Sequence, residues 1–419
     1  MKCKSIFFFY VLFFLIFTSC DLFPKSVRKD SELITDFVPL EWSDDFVFGA
    51  TQYPPRISLW DSKTCKLVMH YDFFRADNEA AFFNGEGSWL SLITMLVVDK
   101  TIWCIALGNQ CSLVKIDIET GKIKFIDLEK KYDYLEVIPE VDNGKPGILV
   151  IPFAQYMADV DIKLFSLDGV LLHKYGLSAS DLHILSAAGQ YKDNCYYFCA
   201  GSHLYEEYGE PSSEIFKVVK LNLLSDEWEV IPLNTVNILG KEFMETNISQ
   251  ICNSQYSTSF SVKPGYFSDG KFAIALDFIG EDIGRFLFET DDLLTGVYSY
   301  TGKNIIYSVD NVKIFPRMYF KIENQYSLIG NYSNDLYAVF FDDSRKDIFY
   351  MPNTEIIFMD SNFDEVWCAK NSYSYLDKEK TWIYDGEGIY RIDLKNKSIK
   401  LYSQDGSVLP LTRNFLWRK

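Results

Sequence analysis

Val114-Lys115-Ile116-Asp117-Ile118-Glu119-Thr120-Gly121-Lys122-Ile123-Lys124-Phe125 reads as an apolar strand, a tight turn and a second strand. Asp117 supplies an acceptor for the turn amides, and Gly121 can take a positive φ at no Cβ cost. The flanking β-branched and aromatic residues then pair across the two strands. This shape returns as Ser58-Leu59-Trp60-Asp61-Ser62-Lys63-Thr64-Cys65-Lys66-Leu67-Val68 and as Tyr390-Arg391-Ile392-Asp393-Leu394-Lys395-Asn396-Lys397-Ser398-Ile399. Looser copies stand at Leu164–Val170, Leu221–Trp228, Tyr300–Lys303 and Asp342–Lys346.

Successive copies lie about 40 to 80 residues apart, the range of a four-stranded unit with its loops. A sheet of that size cannot bury both faces alone, and radial stacking of copies solves this. From about Phe46 onward the chain keeps one texture, with short runs such as Phe272–Leu276 and Tyr337–Phe341 punctuated by Asp, Asn, Gly and Ser, the signature of many short strands. Helical patterns are scarce; Ser31–Val38 and Asn234–Ser249 are the candidates.

Trp60-Asp61 followed by Thr64 resembles the end of a WD-type blade, and Asp117-Ile118-Glu119-Thr120-Gly121-Lys122 resembles the D-x-x-T-G-K turn of quinoprotein-like propellers. The likeness covers only the outer hairpin of each unit. Gly-His and Gly-Gly pairs are absent, and Phe125 stands where the quinoprotein motif prefers Trp. The resemblance implies an all-β fold, a β-propeller of about seven four-stranded blades within a range of six to eight, and transfers no active site. A pair of β-sandwiches would explain the strands but not the recurrent corner. In a propeller the last strands usually complete the first blade, so Val408-Leu409-Pro410-Leu411 and Phe415-Leu416-Trp417 are expected to dock near Ile57–Trp60.

The amino terminus carries a separate signal. A basic Met1-Lys2-Cys3-Lys4 precedes the uncharged run Ser5–Phe17, which closes on Thr18-Ser19-Cys20. About 13 residues of helix reach only about 20 Å, short of the roughly 30 Å hydrocarbon core, so a cleaved signal fits better than a membrane-spanning helix. Small residues before Cys20 resemble the lipobox of bacterial lipoproteins, with Phe17 where Leu is usual. That resemblance implies cleavage before Cys20 and acylation of its thiol, with an ordinary secretory signal or a short anchor as the alternatives. Asp21 resembles an inner-membrane retention signal that need not hold in all bacteria, so the leaflet stays open. The expected organisation is a signal peptide over residues 1–19, a lipidated cysteine and tether over 20–45, and a propeller over 46–419.

A net charge of −17 argues against nucleic-acid binding, which needs a basic surface to release phosphate counterions. It also repels anionic bilayers, leaving anchorage to the lipid.

Of nine cysteines, Cys3 and Cys20 belong to the export signal. The odd remainder, Cys65, Cys104, Cys111, Cys195, Cys199, Cys252 and Cys368, excludes a fully paired disulfide framework. Cys104 and Cys111 flank a turn at Gly108-Asn109 and could face each other, although buried free thiols are the commoner outcome. Cys195, Cys199 and His203 have zinc-ligand chemistry. A strand over Cys195–Ala200 would hold its cysteines about 13 Å apart, too far for one metal. No metal or cofactor site is expected.

No H-E-x-x-H, G-x-S-x-G or Walker-type motif occurs. Acids at Asp159, Asp161, Glu281-Asp282, Glu289, Asp291-Asp292 and Asp342-Asp343 offer carboxylate chemistry only if folding pairs them. Two excursions, His203–Pro211 and Glu281–Gly296, read as rim loops, where propellers bind. Tyr205, Tyr208, Phe286 and Phe288 are the candidate rim contacts, and Cys20 is the lipidation site. The expected function is a membrane-anchored cell-envelope lipoprotein acting as a binding or assembly scaffold for an envelope protein or glycan. An envelope enzyme, a glycosidase or quinoprotein-like oxidoreductase, is the alternative.

Overall fold

The computed structural model describes residues 39–51, 56–72, 91–107, 111–142, 144–152, 160–177, 183–201, 216–232 and 388–411, and between residues 259 and 384 the strands named below. The expected signal, most of the expected tether and both helix candidates lie outside the described residues. Among the described residues every regular element is a strand.

The first sheet holds β1 (Phe46–Thr51), β2 (Arg56–Asp61) and β3 (Leu67–Asp72). The second is a meander of β4 (Ser91–Val98), β5 (Thr101–Leu107), β6 (Cys111–Asp117) and β7 (Ile123–Asp127). The third comprises β8 (Tyr132–Asp142), β9 (Lys145–Pro152), β10 (Val160–Ser166) and β11 (Leu171–Leu177). The fourth comprises β12 (His183–Lys192), β13 (Cys195–Gly201), β14 (Phe216–Asn222) and β15 (Trp228–Pro232). Next come β16 (Ser259–Lys263), β17 (Tyr266–Phe267), β18 (Phe272–Asp277), β19 (Arg285–Thr290) and β20 (Ser299–Tyr300), all but β17 forming the fifth sheet.

After a hairpin of β21 (Ser308–Val309) and β22 (Val312–Lys313), the sixth sheet holds β23 (Phe315–Ile322), β24 (Gln325–Tyr332), β25 (Asp335–Phe341) and β26 (Lys346–Met351). β17 joins it in parallel beside β23, hooking the fifth sheet to the sixth. The seventh sheet is built from β27 (Thr354–Met359) and β28 (Glu365–Lys370), then, past a hairpin of β29 (Tyr373–Leu376) and β30 (Thr381–Tyr384), β31 (Gly388–Asp393), β32 (Ser398–Ser403) and β33 (Val408–Leu409).

Neighbouring sheets share apolar cores. Phe48, Leu59 and Tyr71 of the first pack on Ile102, Val114 and Ile116 of the second. Trp103 and Leu113 pack on Leu135, Ile148 and Phe165, and Leu149, Ile162 and Tyr175 on Tyr196, Phe198 and Val219. Phe340 and Met351 meet Ile392 and Leu401, while Trp367 and Ile389 return to Val47 and Trp60 of the first sheet. Each large apolar side chain removed from water in this way contributes about 1.5–3 kcal/mol. The first strands of successive sheets also touch, β4 beside β8, β8 beside β12 and β12 beside β16. Sheets stacked around an axis, with the last on the first, make a β-propeller.

The repeated corner owes its shape to one side chain. Asp61 Oδ1 accepts from the Thr64 amide at 2.7 Å and its hydroxyl at 2.8 Å. Asp117 Oδ1 accepts from the Thr120 amide at 2.8 Å, Asn222 Oδ1 from the Ser225 amide at 3.2 Å, and Asp393 Oδ1 from the Asn396 amide at 2.7 Å. Four residues beyond each acceptor the backbone turns left-handed, at Cys65 (φ 55°), Gly121 (φ 68°), Asp226 (φ 62°) and Lys397 (φ 51°). The acceptor is the shared feature, and glycine is one of several occupants of the strained position. A shorter corner closes on serine: the Ser166 amide donates to Val170 and the Ser403 amide to Ser407, both at 2.9 Å, with Gly169 and Gly406 at φ 72° and 83°.

Aligned on these corners, Phe46 faces Asp61 as Thr101 faces Asp117, Cys195 faces Asn222 and Glu365 faces Asp393. β1 therefore corresponds to the second strands β5, β13 and β28. Among the described residues the first sheet has no counterpart of β4, β12 or β27, and β27 reaches β4 directly.

The expected docking of Val408–Leu411 on Ile57–Trp60 is corrected. Val408 and Leu409 pair with Tyr402 and Leu401 in their own sheet, and Leu409 and Leu411 pack on the core shared by the sixth and seventh sheets. Local hairpin pairing across the Ser403–Ser407 turn outcompetes a long-range exchange. Phe415-Leu416-Trp417 lie outside the described residues.

Candidate functional site

In an antiparallel meander the turn between strands one and two and the turn between strands three and four open on the same edge. Here they are bonded to each other. The Ile118 amide donates to the Lys100 carbonyl at 3.1 Å, and the Leu223 amide to the Asn194 carbonyl at 3.0 Å. Lys100 and Asn194 belong to two-residue hairpin turns, Asp99-Lys100 (φ 47°, 62°) and Asp193-Asn194 (φ 51°, 61°), the primed geometry that matches strand twist.

The chain reaches the propeller along this edge. The Leu40 amide donates to the Ile118 carbonyl at 3.0 Å. Trp42 stacks on Phe48 with centroids 6.0 Å apart, and Asp45 holds Lys63 of the first corner at 2.6 Å.

Farther around the edge, the third sheet meets the corner of the fourth. The Tyr175 hydroxyl donates to the Leu223 carbonyl at 2.9 Å, and His173 Nε2 lies 2.6 Å from Asp226 Oδ1. Burial first, and the Asp226 charge second, push the Tyr175 phenol up to about 12, so it stays a donor. Beside this bonded seam the apolar residues Val170, Leu171, Leu172 and Leu224 are exposed, Leu224 at 75%.

The other polar cluster is a brace. Lys163 is buried on β10, donates to the Leu128 carbonyl at 2.9 Å, approaches Glu129 Oε2 at 3.3 Å and sits 5.4 Å above the Tyr132 ring. The Tyr132 hydroxyl donates to the Asp161 carbonyl at 3.1 Å. Burial opposes ionisation of Asp161, but hydrogen bonds from Lys174 at 2.9 Å and Lys130 at 3.3 Å outweigh it and hold the carboxyl below its ordinary range.

Glu136 is the unusual acid. It lies on the innermost strand β8, between Tyr134 and Ile138, which pack toward the fourth sheet. Burial pushes its carboxyl up to about 7, against hydrogen bonds from the Tyr134 hydroxyl (3.2 Å) and the Val137 amide. It can hold a proton near neutrality. Sequence reasoning missed it, although its parity with Tyr134 and Ile138 on one strand was a usable signal. Glycoside cleavage needs a second carboxylate about 5 to 9 Å away, and Asp161 is engaged by lysines instead.

The remaining candidates disperse. Cys20, Tyr205, Tyr208 and His203 lie outside the described residues. The expected loop Glu281–Gly296 is corrected: Phe286 and Phe288 belong to β19, opposite Leu276 and Ile274. Their acidic neighbours hid a strand that is fixed by pairing with β18. Cys195 and Cys199 share one extended strand, facing Asn222 and Val218, and no group of three metal-binding side chains occurs among the described residues. Cys104 and Cys111 are buried and not disulfide-bonded to each other, lying opposite Val114 and Leu107. Burial pushes the Cys104 thiol up.

No family model matches the chain, and no curated protein does. Solved structures with a similar fold include the β-propeller domain of the Trilobed protease from Pyrococcus furiosus, at 9% identity and TM-score 0.40, covering 91% of this chain and 98% of that one. A quinonprotein alcohol dehydrogenase-like protein from Bacteroides thetaiotaomicron matches at 12% identity and TM-score 0.35, covering 87% and 74%. An uncharacterized protein from Listeria monocytogenes matches at 11% identity and TM-score 0.38, covering 78% and 96%. Likeness at this level carries no site across, and the fold here rests on strand pairing and inter-sheet packing.

Proposed function

We propose that the chain is a lipid-anchored propeller of the bacterial cell envelope, with seven blades and a role as a binding or assembly scaffold. The observation that carries this reading is the approach of the tether, whose Leu40 is pinned to Ile118 on one edge of the ring. The short apolar run ending in Thr18-Ser19-Cys20 supports acylation at Cys20. Seven sheets of three or more strands among the described residues support the blade number. Two acyl chains hold a protein stably on a bilayer where one does not. The test is flotation with zwitterionic vesicles: mature protein extracted from membranes should float, and the Cys20→Ala variant should stay in the dense fraction. Equal flotation of both would refute the anchor.

Glu136 favours a second reading, an envelope enzyme using its proton near neutral pH. Turnover of an envelope polysaccharide that Glu136→Gln abolishes without unfolding would establish it over the scaffold.

A further inference from the structure

We propose that the edge carrying the strand corners of the third and fourth sheets rests on a lipid bilayer, with Val170, Leu171, Leu172 and Leu224 in contact with it; this rests on the anchored reading above. Scattered exposed apolar residues are ordinary. These are not scattered. All six large apolar residues exposed among the described residues, Val68, Val170, Leu171, Leu172, Leu224 and Val408, lie in or within two residues of a corner, and four of them cluster on the third and fourth sheets.

The chain leading back to Cys20 departs from the same edge, through Leu40 and Ile118. Residues Asp21–Val38 separate the anchor from the fold, a length for which a random coil spans about 25 Å root-mean-square. A tether that short keeps the edge it leaves from nearer the lipid than the opposite edge. The net charge of −17 opposes attraction to an anionic surface, so the apolar tips are what this edge offers a bilayer. Tyr175 and Leu223, bonded across the two sheets, hold both tips rigidly together.

The experiment is amide hydrogen exchange on the mature acylated chain, free in detergent and on phosphatidylcholine vesicles. Exchange at residues 170–172 and 223–226 should slow about tenfold on vesicles, while Leu128–Lys131, at the other end of β7, stays unchanged. Leu172→Ser with Leu224→Ser should remove the protection and leave flotation intact. Vesicle-bound protein with unprotected corners would overturn this inference and leave the anchor standing. Equal protection without vesicles would overturn it in favour of a protein contact. A chain that fails to float would remove the anchor and this inference with it.

Discussion

The Leu67 amide donates to the Gln404 carbonyl at 2.9 Å, tying the outer strand of the first sheet to the turn after β32 in the last. Beside it, Tyr402 reaches Cys65 in the first corner, and burial, then the Cys65 contact, raises the Tyr402 phenol. The ring closes by packing and a few bonds across this seam. No exchanged strand crosses it among the described residues.

Gly406 is the tightest point of that seam. It has φ 83°, and a Cβ there would run into the Thr64 carbonyl and, at 2.8 Å, the Lys66 side chain. Gly144 has φ 77° with open space around it. Gly144→Ala should therefore cost about 1 kcal/mol from backbone strain alone, and Gly406→Ala roughly 2–4 kcal/mol. Denaturant melts of the two variants make the comparison; equal losses would mean that the seam does not bear on stability.

At the corners the side-chain acceptor should outweigh the glycine wherever the residue replacing glycine tolerates a positive φ. Asp117→Ala is expected to cost about 1 kcal/mol by stranding a turn amide. Gly121→Asn should cost less than about 1 kcal/mol, because Asn tolerates this region, whereas Gly121→Val should cost about 1–3 kcal/mol. Cys65, Asp226 and Lys397 already occupy the same position in sister corners. Thermal melts of the three variants give the order.

Glu136 gives a pH signature. Its folded carboxyl titrates near 7, above the ordinary range, so the fold favours the protonated form. Its contribution is fully present below the unfolded value of about 4.3 and is lost as pH rises through about 7. Glu136→Gln should match the native protein near pH 4 and exceed it by roughly 1–3 kcal/mol at pH 8. Stability curves against pH for both proteins check the divergence.

Lys163 and Lys174 separate a buried brace from a surface pair. Lys163→Met keeps the packed stem but removes a buried charged donor from the Leu128 carbonyl, which retains the Lys130 amide at 2.7 Å, for an expected loss of about 1–2 kcal/mol. Lys174→Ala removes one of two lysines on Asp161 and should cost under about 1 kcal/mol. Melting of each variant reads the difference.

The corners were legible because an Asp accepting an amide three residues on is a local device, visible at Asp61, Asp117 and Asp393 without any knowledge of the ring. Serine closes the corners at Ser166–Val170 and Ser403–Ser407 alike, and only the first stands out in the sequence as a copy of the repeat. What depends on distant partners was not legible. β19 is a strand because β18 and β20 flank it, and Val408–Leu409 stays in its own sheet because β32 is near. Glu136 is unusual only through what the third and fourth sheets bury around it. The loop reading of Phe286 and Phe288 gave way for the same reason: composition says nothing of which strands pair.

The most direct test of an anchored propeller is the intact mass and amino-terminal sequence of the chain purified from bacterial membranes. Processing before Cys20 predicts a chain that begins at that residue and carries the added mass of its acyl groups. A chain that retains residues 1–19, or begins at an unmodified residue after them, would contradict the anchor on which the functional reading stands.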